Sequence, residues 1–123
     1  MNLATNVNFF LGLQLQLKIN HWQTKGVARH EAFGMAYDEL QDLVDTYVEE
    51  SMGKYGRFIL DEETKNIKLS NLNELDINSF INTVRDSLIQ FTDQLDQTDT
   101  NLLNIRDEML GLINKLSYLL TLE

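Results

Sequence analysis

The sequence predicts an all-α fold, a four-helix bundle, on three observations. Its 123 residues contain no proline and only six glycines, so little interrupts a long helix. Apolar residues recur at helical spacing in four segments of roughly 20 residues each. The breaks between the first pair and between the last pair are short, and the middle break is long. That is the layout of a bundle with one crossover, in which helices two and three can run parallel. A chain of this length is expected to form one domain spanning residues 1–123, with a core that needs no staples.

The first segment carries Leu3, Val7, Phe10, Leu11, Leu13, Leu15, Leu17 and Ile19. It is apolar on more than one side, which predicts contact with several neighbours. It should end near His21–Thr24, with Gly26 as the stop. The second helix is expected from about Arg29 to Met52, on a stripe of Phe33, Ala36, Leu40, Leu43, Val44 and Tyr47, with Glu39, Asp42, Thr46 and Glu50 opposite. Residues 53–74 read as the crossover, where Arg57–Leu60 and Ile67–Leu69 either pair as a short hairpin or lie in a bare loop. Asp76 is a good N-cap for helix three, whose stripe runs from Ile77 through Phe80, Val84, Leu88 and Phe91 to Leu95. Thr98 or Asp99 should cap the fourth helix, which carries Leu102, Ile105, Met109, Leu112, Ile113, Leu116 and Leu119. Met35, Met52 and Met109 read as core or interface filler.

Composition excludes several functions. Without cysteine there is no disulfide, zinc–thiolate site or iron–sulfur cluster. A formal net charge of −9 argues against a nucleic-acid partner, which would need clustered Lys and Arg; the first seventeen residues hold neither. No stretch has the apolar length of a membrane span and no signal peptide is evident. The expectation is a cytoplasmic protein with no membrane partner.

Chemistry concentrates in four residues. His21 ends the first apolar segment, next to Trp22, and His30 lies just past the turn; imidazole is the commonest ligand for redox-active metals. Asp45 and Glu49 stand four apart and share a helical face. His21 and His30 can meet across the turn. Fifteen residues of helix, roughly 22 Å at 1.5 Å per residue, separate His30 from Asp45, too far for one ion. Either the two pairs are unrelated, or the histidine end of one chain meets the acid end of another across a two-fold axis. At 100° per residue, His30, Asp45 and Glu49 fall within about 100° of one another, on the flank of the core stripe. Taken alone, His21–Trp22 also fits a plain helix end with a core indole. An Asp/Glu pair such as Asp38/Asp42 is usually a solvated face, and Trp22 and Tyr47 are more often packing residues than redox partners.

The segment Asn20-His21-Trp22-Gln23-Thr24-Lys25-Gly26 resembles the histidine–tryptophan–glycine stretch of Dps-type miniferritins, in the ferritin-like superfamily. His30-Glu31 looks like that family's second histidine, and the steps from His30 to Asp45 and on to Glu49 equal its spacing. Thr98-Asp99-Thr100-Asn101-Leu102-Leu103 is similar, less specifically, to the start of its last helix. The resemblance is strongest over residues 11–50. It implies a ferritin-like bundle and Fe(II) sites, dinuclear in some members, built between two-fold-related subunits. Each would take His21 and His30 from one chain and Asp45 and Glu49 from its mate. It also implies ferroxidase activity with peroxide or oxygen, ferric iron storage, and a homo-oligomer that can extend to a dodecameric cage. Gly34 stands where the family often carries an acid, and the turn between the histidines is about three residues shorter. These departures keep a second reading open: an oligomeric structural or interaction module with a weakened or vestigial site. A heterodimeric helical adaptor, suggested only by exposed acids, is the third.

Overall fold

The computed structural model describes residues 2–122, the Thr92 side chain excepted. Four helices carry the fold: α1 (Leu3–Gln23), α2 (Val27–Tyr55), α3 (Ile77–Gln90) and α4 (Thr100–Leu119). Single 3₁₀ turns occupy Leu72–Glu74 and Phe91–Gln94. No strand occurs among the described residues, and none of their helices is long and apolar enough to cross a membrane.

Contacts along the helices fix their directions. Phe10 meets Tyr47 at one end of the α1–α2 pair and His21 meets His30 at the other, so these helices are antiparallel. Arg29 reaches the Leu120 carbonyl while Asn101 reaches Glu50, which sets α4 antiparallel to α2. Arg85 bonds Asn114, and Arg106 reaches the Leu88 carbonyl, so α3 is antiparallel to α4. Helices α2 and α3 therefore run parallel, as the long middle link allows.

Local chemistry sets most helix ends. Asn2 accepts the Thr5 N–H at 3.2 Å and Asp76 accepts the Ser79 N–H at 3.1 Å, each satisfying a donor with no helical partner. Thr24 turns to extended backbone, and α2 restarts after Gly26. Helix α2 ends three residues later than expected, at Tyr55, because Gly56 is the residue that reaches positive φ, at +88°. A side chain there would be strained. Helix α3 stops at Gln90, and its apolar stripe continues through the 3₁₀ turn to Phe91.

The core runs along the bundle axis. Phe10, Leu17, Phe33, Leu40, Tyr47, Leu88, Met109, Ile113 and Leu116 are fully buried. At its lower end Phe9, Phe10, Tyr47 and Phe91 pack edge to face, with centroids 5.2–5.7 Å apart, the arrangement ring quadrupoles favour.

The crossover is not a hairpin. It lies extended along α1, held by a ladder of carboxamides on one side of that helix. Asn8 donates to the Thr64 and Asn66 carbonyls at 2.9 and 2.7 Å. Gln16 exchanges two bonds with Ser70, both 2.9 Å. Gln23 accepts the Leu72 N–H at 2.7 Å and donates to Asn71. A hairpin would need some of these same backbone groups for its own ladder; α1 takes them instead. The turn at residues 61–64 closes on itself through reciprocal Asp61 and Thr64 bonds of 2.8 Å.

Candidate functional site

His21 and His30 form one unit at the top of the α1–α2 pair. Their rings stack with centroids 3.8 Å apart and planes 18° from parallel. His21 Nδ1 lies 2.7 Å from the His30 carbonyl oxygen, and His30 Nδ1 lies 2.8 Å from the His21 carbonyl oxygen. A carbonyl only accepts, so each Nδ1 carries the hydrogen and donates it. In the neutral rings both Nε2 atoms then hold lone pairs. Nδ1–H donated to a backbone carbonyl is the arrangement that fixes tautomer and ring orientation for a metal-binding histidine. The His21 carbonyl is open to this bond because α1 ends within the next turn and the chain leaves the helix at Thr24.

Gly34 makes the arrangement fit. A Cβ placed on Gly34 would come within 2.9 Å of both Cε1 and Nδ1 of His21. The carbonyl of a helical residue points toward the residue four ahead, so a side chain at position 34 would screen the His30 oxygen. Without one, the imidazole lies on the bare backbone and reaches that oxygen. Sequence reading treated Gly34 only as a lost acid. The signal available was its place, one turn after His30 on the His30 flank of α2.

Asp45 and Glu49 are exposed on α2, and neither makes a hydrogen bond or ion pair among the described residues. They do not join the histidines within the chain. His30 and Asp45 lie on the same helix, about 22 Å apart by its rise, and no group of three or more metal-ligating side chains forms among the described residues.

The surface between these pairs is apolar and lacks acids on its α1 side. Leu11 and Leu15 are each 40% exposed and Trp22 is 65% exposed, on one stripe of a helix that holds no Asp or Glu. The expectation of a core indole fails: α2 and α4 fill the core, and Trp22 falls on the outer stripe. The Lys18 ammonium bridges the α1 and α2 faces, 5.3 Å from the Trp22 ring and 4.7 Å from the Tyr37 ring, within cation–π range.

The opposite end holds a second polar cluster that sequence reading missed. Asp99, 1% exposed, stands at the N-cap of α4 but makes no side-chain cap bond there. Its carboxylate accepts from Lys54 Nζ and Tyr55 Oη at the end of α2 and from the Asp96 N–H at 3.0 Å. The Lys54 ammonium, and then the Tyr55 hydroxyl, hold the Asp99 carboxyl below the usual carboxylate range. The same contact raises Lys54 and Tyr55. Nearby, burial pushes the Tyr47 phenol up to about 12. The Asn6 carboxamide beside it works the other way, though outside hydrogen-bonding geometry. Tyr47 is the packing residue that its type suggests.

Comparison with known proteins gives one match. Residues 21–120 fit a family model described as "Family of unknown function (DUF5856)", a span that begins at His21 and takes in both ends of α2. No curated protein and no solved structure matches the chain. With the model covering most of its length, the chain belongs to the DUF5856 family.

Proposed function

We propose that this protein is a ferritin-like homodimer or larger homo-oligomer of the miniferritin type that binds Fe(II) between subunits and oxidises it. The observation that carries the reading is the His21–His30 pair. Both imidazoles are fixed by Nδ1 donation, and both keep an Nε2 lone pair for a ligand. Two such nitrogens bind a divalent transition metal weakly by themselves; carboxylates are needed to complete the site and to stabilise Fe(III) as it forms. Asp45 and Glu49 are unengaged and exposed on the same helix. A two-fold axis crossing α2 at the level of Glu39 and Leu40, with the helices antiparallel, would set Asp38 against Gln41 of the partner subunit. The same register would bring His30 toward Glu49 of the partner subunit and Gly34 toward Asp45 of the partner subunit.

The surface supports such a contact. Leu11, Leu15 and Trp22 would be covered, and Lys18 would meet the acidic flank of the second copy's α2. Gly34 adds a fit test of its own. Because the His21 ring occupies the space of its side chain, no acid can stand there with the ring in this pose. The donor set is thus two imidazoles and two carboxylates, which suits Fe(II). Fe(II) is the substrate; one peroxide would take one electron from each of two ferrous ions and two protons from solvent, and leave as two waters. Storage of the ferric product in a closed cage follows from the family resemblance alone.

A second reading keeps the interface and drops the chemistry. The exposed apolar stripe on α1 calls for a covering partner whether or not iron binds, so an oligomeric structural module accounts for it equally. One experiment separates the two: mass in solution with and without Fe(II) under anaerobic conditions, followed by iron titration per chain and peroxide consumption. The oxidase reading expects a dimer or larger assembly, bound iron, and iron-dependent loss of peroxide that His21→Ala abolishes. An assembly that binds no iron leaves the structural module, and a monomer that binds none removes both.

A further inference from the structure

Asn8 and Gln16 have a consequence beyond holding the crossover. By drawing its backbone over the seam between α1 and α3, they lay the crossover across that side of the bundle. The seam opens as a cleft of about 370 Å³ lined by Phe9, Leu13, Leu75, Phe80 and Val84, with Lys68 also among its lining residues. Phe9, Leu75 and Phe80 are only partly buried, so the cleft leaves apolar surface in contact with water. Asn8 and Gln16, which also line it, already spend their carboxamides on the crossover backbone. Lys68 alone among the lining residues is charged, and it makes no hydrogen bond or ion pair among the described residues.

We propose that this cleft binds a small amphiphilic carboxylate, an acid with an apolar chain or ring as its body. The volume lies in the range of small-molecule sites, and an apolar lining with few polar groups is their usual make-up. The apolar body covers Phe9, Phe80 and Leu75, and the carboxylate meets the Lys68 ammonium. Lysine acts here as a flexible point charge and sets the sign of the head group rather than its geometry. The chain's net charge of −9 opposes any anion at long range, so the contact strengthens relative to that repulsion as salt screens it. The cleft's α1 residues Phe9, Gly12 and Gln16 lie off the Leu11, Leu15 and Trp22 stripe, and the proposal does not depend on the iron reading.

Decanoate is the probe, titrated calorimetrically below its micelle concentration at 0.15 M salt, with 1-decanol and decyltrimethylammonium as comparators. Saturable binding of one decanoate per chain is expected, tighter than decanol, with decyltrimethylammonium weakest. Lys68→Met should weaken decanoate by about two- to fivefold, the scale of an exposed ion pair, and leave decanol unchanged. Thr83→Trp, at an exposed lining position of α3, should plug the cleft and weaken both ligands at least tenfold with the helical circular dichroism intact. Non-saturable uptake, decanol binding as tightly as decanoate, or a Lys68→Met variant indistinguishable from the parent would each overturn the proposal.

Discussion

The two ends of α2 hold polar clusters of opposite character. At its C-terminal end Asp99 is buried, and an ammonium, a phenol and a backbone N–H fill its acceptor sites. At its N-terminal end His21 and His30 commit only their Nδ1 atoms, and neither Nε2 has a hydrogen-bond partner among the described residues. Both clusters tie a helix pair together. The Asp99 cluster saturates its own valences and so is structural. The histidine pair spends only what is needed to fix its rings, which is what a ligand-binding group requires. The contrast is the ground for the proposal that one cluster holds the fold and the other binds a metal.

Breaking the open end should have the largest effect. Alanine at both His21 and His30 is expected to abolish Fe(II) or Co(II) binding, measured by anaerobic titration, while thermal unfolding changes little because both rings lie near the surface. If metal binding persists in that variant, the histidines are not ligands. The next largest effect should come from Gly34→Ala. Its methyl would displace the His21 ring, and metal affinity should fall by about ten- to a hundredfold, the range for lost supporting contacts. A neutral result would show that the ring pose is irrelevant to binding.

The closed end should respond to acid instead. Asp99 has its pKa lowered on folding, so its contribution is present above the unfolded value, about 3.9. It is lost as pH falls through the lower folded value. Asp99→Asn should therefore lower Tm at neutral pH and flatten the drop in Tm below about pH 4. Tyr47 works from the alkaline side. With its phenol pushed up to about 12, against about 10 when unfolded, stability should decline as pH rises above about 10, and Tyr47→Phe should lessen that decline, the raised Lys54 and Tyr55 supplying the rest. The smallest effect belongs to the helix stop. Gly56→Ala at positive φ should cost about 1 kcal/mol in denaturant unfolding and leave metal binding untouched.

Much of the architecture was legible because it depends on neighbours in sequence. The Asp76 cap, the apolar stripes and the meeting of His21 with His30 across a short turn all follow from local spacing. What escaped depends on residues about fifty apart. Asp99 reads as an N-cap by type, and only tertiary contact brings Lys54 and Tyr55 to it, leaving no carboxylate for the cap. The crossover reads equally as a short hairpin or a bare loop, and only the α1 carboxamides decide against the hairpin. Here a signal did exist: Asn8, Gln16 and Gln23 recur at steps of eight and seven along α1, a polar stripe that needs a polar partner. Gly34 shows the reverse. Its missing side chain reads as a loss in sequence and as the space for a ring in the fold.

The central claim is that each site takes its imidazoles from one chain and its carboxylates from another. Co-expressing a His21→Ala/His30→Ala chain with an Asp45→Ala/Glu49→Ala chain, each with its own tag, gives a purifiable mixed dimer for Co(II) titration. Neither parent variant should bind metal tightly by itself, and the mixed dimer should bind one ion tightly, because one of its two sites is whole. A mixed dimer as empty as its parents would contradict the account.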